Sequence, residues 1–420
     1  MVSKDEEGVA KLNPAAELYV WGYPLAAVHR TRQLFCSRSK TGAINHVDDL
    51  ATPADKGIVA PNNDTLYSSG WYDLALGDLE IDVPPMDHAG RYWNVMILDA
   101  FTHVAYVRRR HHGVNGARVA VTYDPTTAPV DDGGDLVSIG TPTAWVIIRV
   151  LVDSDEDMAE ARTIQRAITV KEPEKHPHQL TERAGRPTAI AKTGIELFTE
   201  LKRYVEQDPP ALWHTPLSEQ AKAILANPDQ YPEQELLAGI EQGEKLLVGG
   251  NTKNSVIRNG WSSSKEGESA ADDHASALIQ KAVGAKFGLG GHLAIENRSY
   301  IALMDAEKQK LDGRRSLTLR LDADDMPPCD GFWSLTAYGM DLYLVENEID
   351  RWSLGDRTPG LEYEQDGSLV IVLSHQKPSS SANWLPVPEG PYMLGLRVYE
   401  GHESVVDCAW FPPDLEPTEL

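Results

Sequence analysis

Between residues 60 and 73 the chain collects groups that could move protons. Asn62-Asn63-Asp64-Thr65 is followed by Tyr67, inside a stretch that is otherwise apolar through Leu66 and Gly70-Trp71-Tyr72. Two carboxamides and a carboxylate lining a pocket could do acid–base work, with Asp64 as acid or base and Tyr67 as proton donor. Asn62 and Asn63 would then orient the substrate. The competing reading is structural. Short polar side chains bond back to nearby amides and hold a turn before a strand.

A second set of residues could hold a charge. Arg108-Arg109-Arg110-His111-His112 is the centre of a cationic island, since residues 91–120 contain five Arg and one acid, Asp99. Guanidinium forks match carboxylates and phosphates, so Arg109 is a candidate clamp for an anionic substrate. A solvated strand end is the plainer alternative. Asp350-Arg351-Trp352-Ser353-Leu354-Gly355-Asp356-Arg357 alternates charges and reads as a self-paired loop. Arg351 is the anion ligand of that segment if it points into a cleft instead. Trp384, between Asn383 and Leu385-Pro386, is either core or the wall of a ligand pocket. A carboxylate pair formed by Asp64 and Asp99 would suit glycoside hydrolysis only if the two lay about 5–10 Å apart.

Several kinds of chemistry lack their motifs. There is no Gly-x-Ser-x-Gly elbow, no Gly-x-x-x-x-Gly-Lys loop and no His-Glu-x-x-His. Gly288-Leu289-Gly290-Gly291 follows a helical pattern instead of a strand, which argues against dinucleotide binding. The close histidine pairs, His111-His112 and His176-Pro177-His178, sit in poor settings for a metal, the second beside Pro177, Glu172 and Glu174. The expectation is chemistry without metal or cofactor.

These residues need elements to position them. Asn13-Pro14 starts a helix carrying Leu18 and Trp21, with Pro24 expected to interrupt or kink it. Tyr92–Leu98 is apolar on both faces and reads as a central, doubly covered strand, with Val119–Tyr123 and Ala144–Val152 of the same kind. Residues 155–170, 189–205 and 217–225 have helical periodicity, and another helix spans about 273–286. The stretch 262–273 reads as a flexible surface loop. Alternation in 316–321 and 392–398 marks half-buried antiparallel strands, and Asp366-Gly367 suits a type I′ hairpin turn. The fold class is mainly β. Two antiparallel β-sandwich modules (Ig-like or jelly-roll-like), at 12–154 with the N-terminal helix and at 288–420, are joined by a helical segment at 155–287.

Composition bounds the rest. In 420 residues, 63 Asp+Glu outweigh 39 Lys+Arg for a net charge of −24. The excess is spread out, at −5 over 1–150, −7 over 151–250 and −12 over 251–420. Such a surface favours solubility and disfavours nucleic-acid binding, which needs cations against phosphate. Three cysteines, Cys36, Cys329 and Cys408, make no disulfide framework, and no apolar run nears the roughly 20 residues that span a bilayer. The acidic start lacks a signal-peptide core, so the expectation is a cytoplasmic protein without membrane partners. Oligomeric state is left open, and a homo-oligomer is compatible with the sequence.

Together, Asn62–Ser68, Arg91–Thr102, Phe332-Trp333-Ser334-Leu335-Thr336, Arg351 with Ser353, Asp366-Gly367-Ser368, Asn383-Trp384-Leu385-Pro386 and Trp410–Pro413 resemble a bacterial family. In it, domain of unknown function 1254 is followed by domain of unknown function 1214. The resemblance runs from about Leu12 to Pro413 and implies two β-sandwich modules with helices between them. It brings no catalytic residues. The chain departs from the family in lacking an export signal and in having Thr122–Thr126 where a glycine-proline-rich turn is expected.

The function expected from all this is a cofactor-free enzyme acting on a small organic molecule, an anionic one if Arg109 or Arg351 is the clamp. Hydrolysis, elimination or isomerisation would proceed by acid–base chemistry in a cleft between the modules. The alternative is a non-catalytic protein that binds a small molecule or carbohydrate on exposed aromatic faces. Burial of Asp64 and Trp384 separates the two.

Overall fold

The structure, a computed structural model, describes residues 12–36, 42–56, 60–129, 133–172, 194–253, 255–264, 274–379 and 382–419. Helix α1 (Pro14–Cys36) opens the chain. Asn13 caps it, its side-chain oxygen accepting from the Ala15 amide at 2.8 Å. The helix runs unbroken through Pro24, contrary to the interruption expected there. Residues all round it are buried, from Ala15 through Leu25 to Arg32, so tertiary packing outweighs the lost hydrogen bond.

The first sandwich contains β1 (Asn45–His46), β2 (Thr65–Asp73), β3 (Leu79–Val83), β4 (Trp93–Leu98), β5 (Val104–Arg108), β6 (Ala117–Tyr123), β7 (Leu136–Ile139), β8 (Thr143–Leu151) and β9 (Thr169–Lys171). Two short helices accompany these strands, α2 (Arg109–His112) and α3 (Met158–Ala167). One sheet has the order β1-β2-β8-β4-β5 and the other β7-β6-β3-β9. Val95, Ile97, Val146, Ile148 and Val150 of the first sheet meet Leu79, Ile81, Val119 and Val121 of the second. The expected helix over 155–170 is α3 followed by a turn into β9, which pairs with β3. The first module therefore extends past residue 154.

Next come α4 (Gly194–Gln207), α5 (Glu219–Ala226), α6 (Glu233–Lys253) and α7 (His274–Gly288). With α1 they form a layer on the outer face of the five-stranded sheet. Leu18, Trp21, Leu25, Phe198, Leu201 and Val283 pack there against Met96, Leu98, Trp145 and Ile147. The helical segment is thus a cover for the first sandwich as well as a connection. This cover explains why every residue of β4 and β8 is buried. Of the expected loop at 262–273, Ser262–Ser264 is strand and the remainder lies outside the described residues.

The second sandwich is built from β10 (Ser255–Arg258), β11 (Trp261–Ser264), β12 (Asn297–Ala302), β13 (Ser316–Leu321), β14 (Cys329–Gly339), β15 (Ser353–Gly355), β16 (Leu369–Ser374), β17 (Trp384–Pro386), β18 (Tyr392–Gly401) and β19 (Leu415–Thr418), with α8 (Glu403–Val406). Its sheets have the orders β10-β11-β12-β18-β14-β15 and β17-β16-β13-β19. The alternating leucines of β13 are buried as expected. Each sandwich departs from pure antiparallel pairing once, at β6–β7 and at β16–β17. At 364–368 only Gly367 has a positive φ, of 83°, and its amide bonds to Glu364 O. A type I′ turn needs two such residues, so this is a different turn, and no strand precedes it.

Helix contacts in the cover depend on glycines. A Cβ at Gly239 of α6 would lie 2.4 Å from Ala15 Cβ and 2.9 Å from Ala15 C, whereas nothing lies within 4 Å of one at Gly284 of α7. Ala is the better helix former by roughly 1 kcal/mol, so the two sites should respond with opposite sign. Gly284→Ala is expected to stabilise by about 0.5–1 kcal/mol. Gly239→Ala is expected to destabilise by about 1–3 kcal/mol through overpacking. Denaturant midpoints measured for both variants check the pair.

Candidate functional site

The helix-facing surface of the five-stranded sheet changes character along its strands. Ile147 stands opposite Met96, and Trp145 opposite Leu98, all under the helices. Further along, Tyr67 stands opposite Arg149, Arg149 opposite Asn94 and Asn94 opposite Arg108. This polar row lies where the helices end and the second module begins. His292 and Glu296 reach it from the segment after α7. Arg108 Nη1 donates to Glu296 Oε2 at 2.8 Å, and Tyr92 Oη donates to Glu296 Oε1 at 2.5 Å. The imidazole of His292 lies 3.3 Å from Asn94 Nδ2 and 3.4 Å from Tyr106 Oη. Burial, with Arg149 and Arg108 beside it, holds His292 well below its usual pKa, so it is neutral.

The Asn-Asn-Asp segment lies at the edge of this junction and joins the modules. Asn62 Oδ1 accepts from the amides of Asp64 (2.5 Å) and Thr65 (3.2 Å), while its Nδ2 donates to Tyr399 Oη in the second sandwich. Asn63 donates to Ala51 O at 2.7 Å and accepts from Ser353 Oγ at 3.1 Å. Arg397 and Tyr338 donate to the carbonyls of Ala60 and Pro61, each at 2.8 Å. The turn reading accounts for Asn62. The clamped backbone and the cross-module bonds account for the rest.

Asp64 is buried, with Arg357 Nη2 3.8 Å from its Oδ1. Burial pushes its carboxyl up, against the opposing pull of Arg357 and Arg397. Tyr67 is half-buried, and the guanidinium of Arg149 lies 5.0 Å from the centre of its ring. Arg357 is also 3.6 Å from Asp356 and 3.7 Å from Asp153, so the 350–357 loop is self-paired only in part.

The predicted clamps need correction. Arg109 Nε donates to Glu400 Oε2 at 2.9 Å and Nη1 to Ala89 O at 2.9 Å, so its guanidinium staples the modules together. Arg351 Nη1 donates to the carbonyls of Trp384 (2.9 Å) and Ala382 (3.3 Å). Trp384 is 1% exposed with its indole N–H on Ser374 O at 3.0 Å, a core residue and not a pocket wall. The cationic island is a solvated strand end only in part, at the exposed Arg110 and His111. Arg91 and Arg108 are fully buried, and Arg91 is held by Asp87 and Asp157. The Asp64–Asp99 pairing also fails. Val152 bonds to Asp64, whereas Asp99 follows the Leu98–Trp145 pair, eight residues of strand away or about 26 Å.

Asp99 instead anchors a cluster that sequence reasoning missed. The turn between β4 and β5 holds Thr102 at a φ of 64°, a strained value for a β-branched residue. Asp99 Oδ1 accepts from the amides of Phe101 and His103, both at 2.8 Å, and its Oδ2 lies 3.1 Å from His103 Nδ1. His214 stacks on His103 with ring centres 4.4 Å apart, and its Nε2 is 3.6 Å from Asp99 Oδ2. The segment bearing His214 is fixed to α1 by Trp21 Nε1, which donates to Thr215 O at 3.0 Å. Gly140 lets the walls close in, since a Cβ there would meet Trp213 at 2.7 Å and Asp99 Oδ2 at 3.1 Å.

Electrostatics completes this cluster. Burial alone would raise Asp99, but His103, His214 and Lys281 together hold it well below the usual carboxylate range. Burial pushes His103 down to about 4, with Lys281 and His214 adding to the shift. Lys281, half-buried on α7, is pushed down by burial to about 8, although Asp99 works the other way. At neutral pH the site thus contains a carboxylate, a neutral imidazole and an ammonium near its pKa. Of these, the neutral imidazole can accept a proton and the ammonium can give one or steady a negative charge, while the carboxylate stays ionised.

Asp99, His103 and His214 could also be read as metal ligands, since one ligand atom from each lies within 4.8 Å of the others. The hydrogen bonds oppose that reading. His214 Nδ1 accepts from the Ala211 amide at 3.2 Å, which puts the proton of a neutral ring on the Nε2 that a metal would need. Lys281 adds a positive charge beside the site. The Asp99-x-x-x-His103 spacing, just after the apolar run Val95–Leu98, was the signal that could have found the Asp99–His103 part of this cluster.

The fold and its two polar clusters define a two-module β-sandwich protein with a helical cover on the first module. Residues 41–172 match the family described as protein of unknown function (DUF1254), and residues 296–403 that described as protein of unknown function (DUF1214). The chain belongs to the two-domain family in which the first is followed by the second. The crystal structure of the VPA0106 protein from Vibrio parahaemolyticus shares the fold, with a TM-score of 0.72 over 97% of this chain and 99% of that one, at 20% identity. An uncharacterised protein from Burkholderia cenocepacia aligns over 94% of this chain and 86% of its own, with a TM-score of 0.48 and 11% identity. No curated protein matches the chain.

One carboxyl at the junction has a consequence for stability. Burial pushes Asp356 up to about 6, against an unfolded value near 3.9. The folded state therefore binds this proton more tightly, and its contribution is lost as pH rises from about 4 through 6. Asp356→Asn is expected to gain stability relative to wild type as pH increases over that window. Paired denaturant unfolding curves at pH 4.5 and 7 check the sign.

Proposed function

We propose that the protein is an enzyme that moves protons on a small organic molecule at the Asp99–His103–Lys281 cluster. One observation carries this reading: His103 is fixed by Asp99 through Nδ1, which leaves Nε2 as a base, with a low-pKa lysine beside it. Among the described residues, no Ser, Thr or Cys is hydrogen-bonded to His103. The arrangement therefore suits direct proton abstraction or activation of water better than an acyl-enzyme route. His103 takes the proton, Asp99 stabilises the imidazolium, and the Lys281 ammonium stabilises the developing oxyanion. Elimination and isomerisation use these parts directly. Hydrolysis uses them through water.

This moves the chemistry away from Asp64 and Tyr67, which lie at the inter-module junction. Binding alone, on an exposed tryptophan surface, has less support, because no tryptophan is among the large exposed apolar residues described. A cytoplasmic setting is part of the proposal. It rests on the cysteine content, three in 420 residues, which is too few for a disulfide framework.

The test is solvent deuterium incorporation into a panel of small carbonyl compounds, followed by NMR. Activity should rise through about pH 4 as His103 loses its proton and fall through about pH 8 as Lys281 loses its own. His103→Gln and Lys281→Met should each lower the rate roughly 10²–10⁴-fold. Undiminished exchange in either folded variant removes that residue from the mechanism.

A further inference from the structure

Arg149 has no acidic partner among the described residues. It is 4% exposed, in the middle of β8, and one of its nitrogens, Nη2, donates to Gly290 O at 2.7 Å. Nε and Nη1 are buried without an acceptor among the described residues. The neighbours that hold it protonated are the phenol rings of Tyr67, Tyr92 and Tyr399, with Tyr67 also hydrogen-bonded to it, and none of them is a carboxylate. Arg298 also lacks a carboxylate, but its guanidinium donates to Ser263 Oγ, Ser264 O and Val406 O. A buried guanidinium with unmatched N–H groups is costly unless an anion meets it.

The surroundings indicate which anion. Arg108 is already neutralised by Glu296 at 2.8 Å, and His292 is neutral, so the cluster carries one unbalanced positive charge. A single negative charge balances it, whereas a dianion would overshoot. The hydroxyl-bearing rings of Tyr67 and Tyr399 offer further donors and an apolar wall. Tyr67 and His292 are half-buried, so solvent reaches the edge of the cluster there. We infer that Arg149 binds a small monocarboxylate at the junction of the helical cover and the two sandwiches. This site lies about five residues along β8 from the Asp99 cluster, roughly 17 Å. It is a separate binding site and does not depend on the proposed catalysis.

The experiment uses the full chain and propionate as the probe. Thermal unfolding is followed while sodium propionate replaces sodium chloride at fixed ionic strength. The wild-type midpoint should rise saturably by about 3 °C, and that of Arg149→Gln by less than about 1 °C. Equal rises in both proteins, or no saturable rise in the wild type, overturn the inference. So does a rise with sodium sulfate, a dianion, that matches the propionate rise and is lost in Arg149→Gln, because the charge argument then fails. If the variant does not fold, a crystal structure of the wild type grown in propionate decides. A carboxylate against Nε or Nη1 of Arg149 supports the site, and water alone there overturns it.

Discussion

The fold depends on covering both faces of one strand. All nine residues of β8, Thr143–Leu151, are buried, so this sheet has no solvent face to receive its polar groups. One face is closed by the second sheet of the sandwich and the other by helices drawn from both ends of the first 288 residues. That requirement explains the length of α1 and its survival past Pro24, because the helix is held by contacts all round it. It also explains the glycines where α6 meets α1, since a closer approach fills the space over Trp71 and Trp145.

Charge distribution follows from the same constraint. The chain carries −24, yet Arg91, Arg108, Arg149, Arg298 and Arg32 are all buried. Most acids lie on the surface, where hydration offsets their mutual repulsion, while these five guanidinium groups share the interior with seven buried carboxylates, Glu17, Asp64, Asp99, Asp208, Glu296, Asp305 and Glu400. Arginine suits that role because it is more weakly hydrated than lysine and satisfies several acceptors at once. The segment 91–120 looks like a basic patch in sequence and is, in the folded protein, a set of staples. Arg108 and Arg109 reach Glu296 and Glu400 across the module boundary.

Much of the architecture is legible in the residues themselves. The run Tyr92–Leu98, apolar on both faces apart from Asn94, announces a doubly covered strand, and the leucine alternation at 316–321 announces a half-buried one. Helix α6 was not anticipated. It contains Gly239, Gly243, Gly249 and Gly250, which blur helical periodicity although three of them permit close packing. The site was less legible. Asn62, Asp64 and Tyr67 stand close in sequence and so attract attention, but they join modules. His103, His214 and Lys281 come together only because β5, the segment after α4 and α7 converge, and no local spacing encodes that meeting.

The two polar clusters illustrate different uses of burial. In the Asp99 cluster every strong charge has a counterpart, and burial mainly sets proton affinities, keeping the imidazole neutral and bringing the lysine towards neutrality. At Arg149 no counterpart exists within the described fold, and the positive charge has no proton equilibrium through which to escape, because arginine stays protonated at any accessible pH. A buried carboxylate or lysine in that position could neutralise itself. A guanidinium cannot. Its balance must come from beyond the described residues, which is why the junction reads as a place for an anion, whereas the Asp99 turn reads as a place for chemistry.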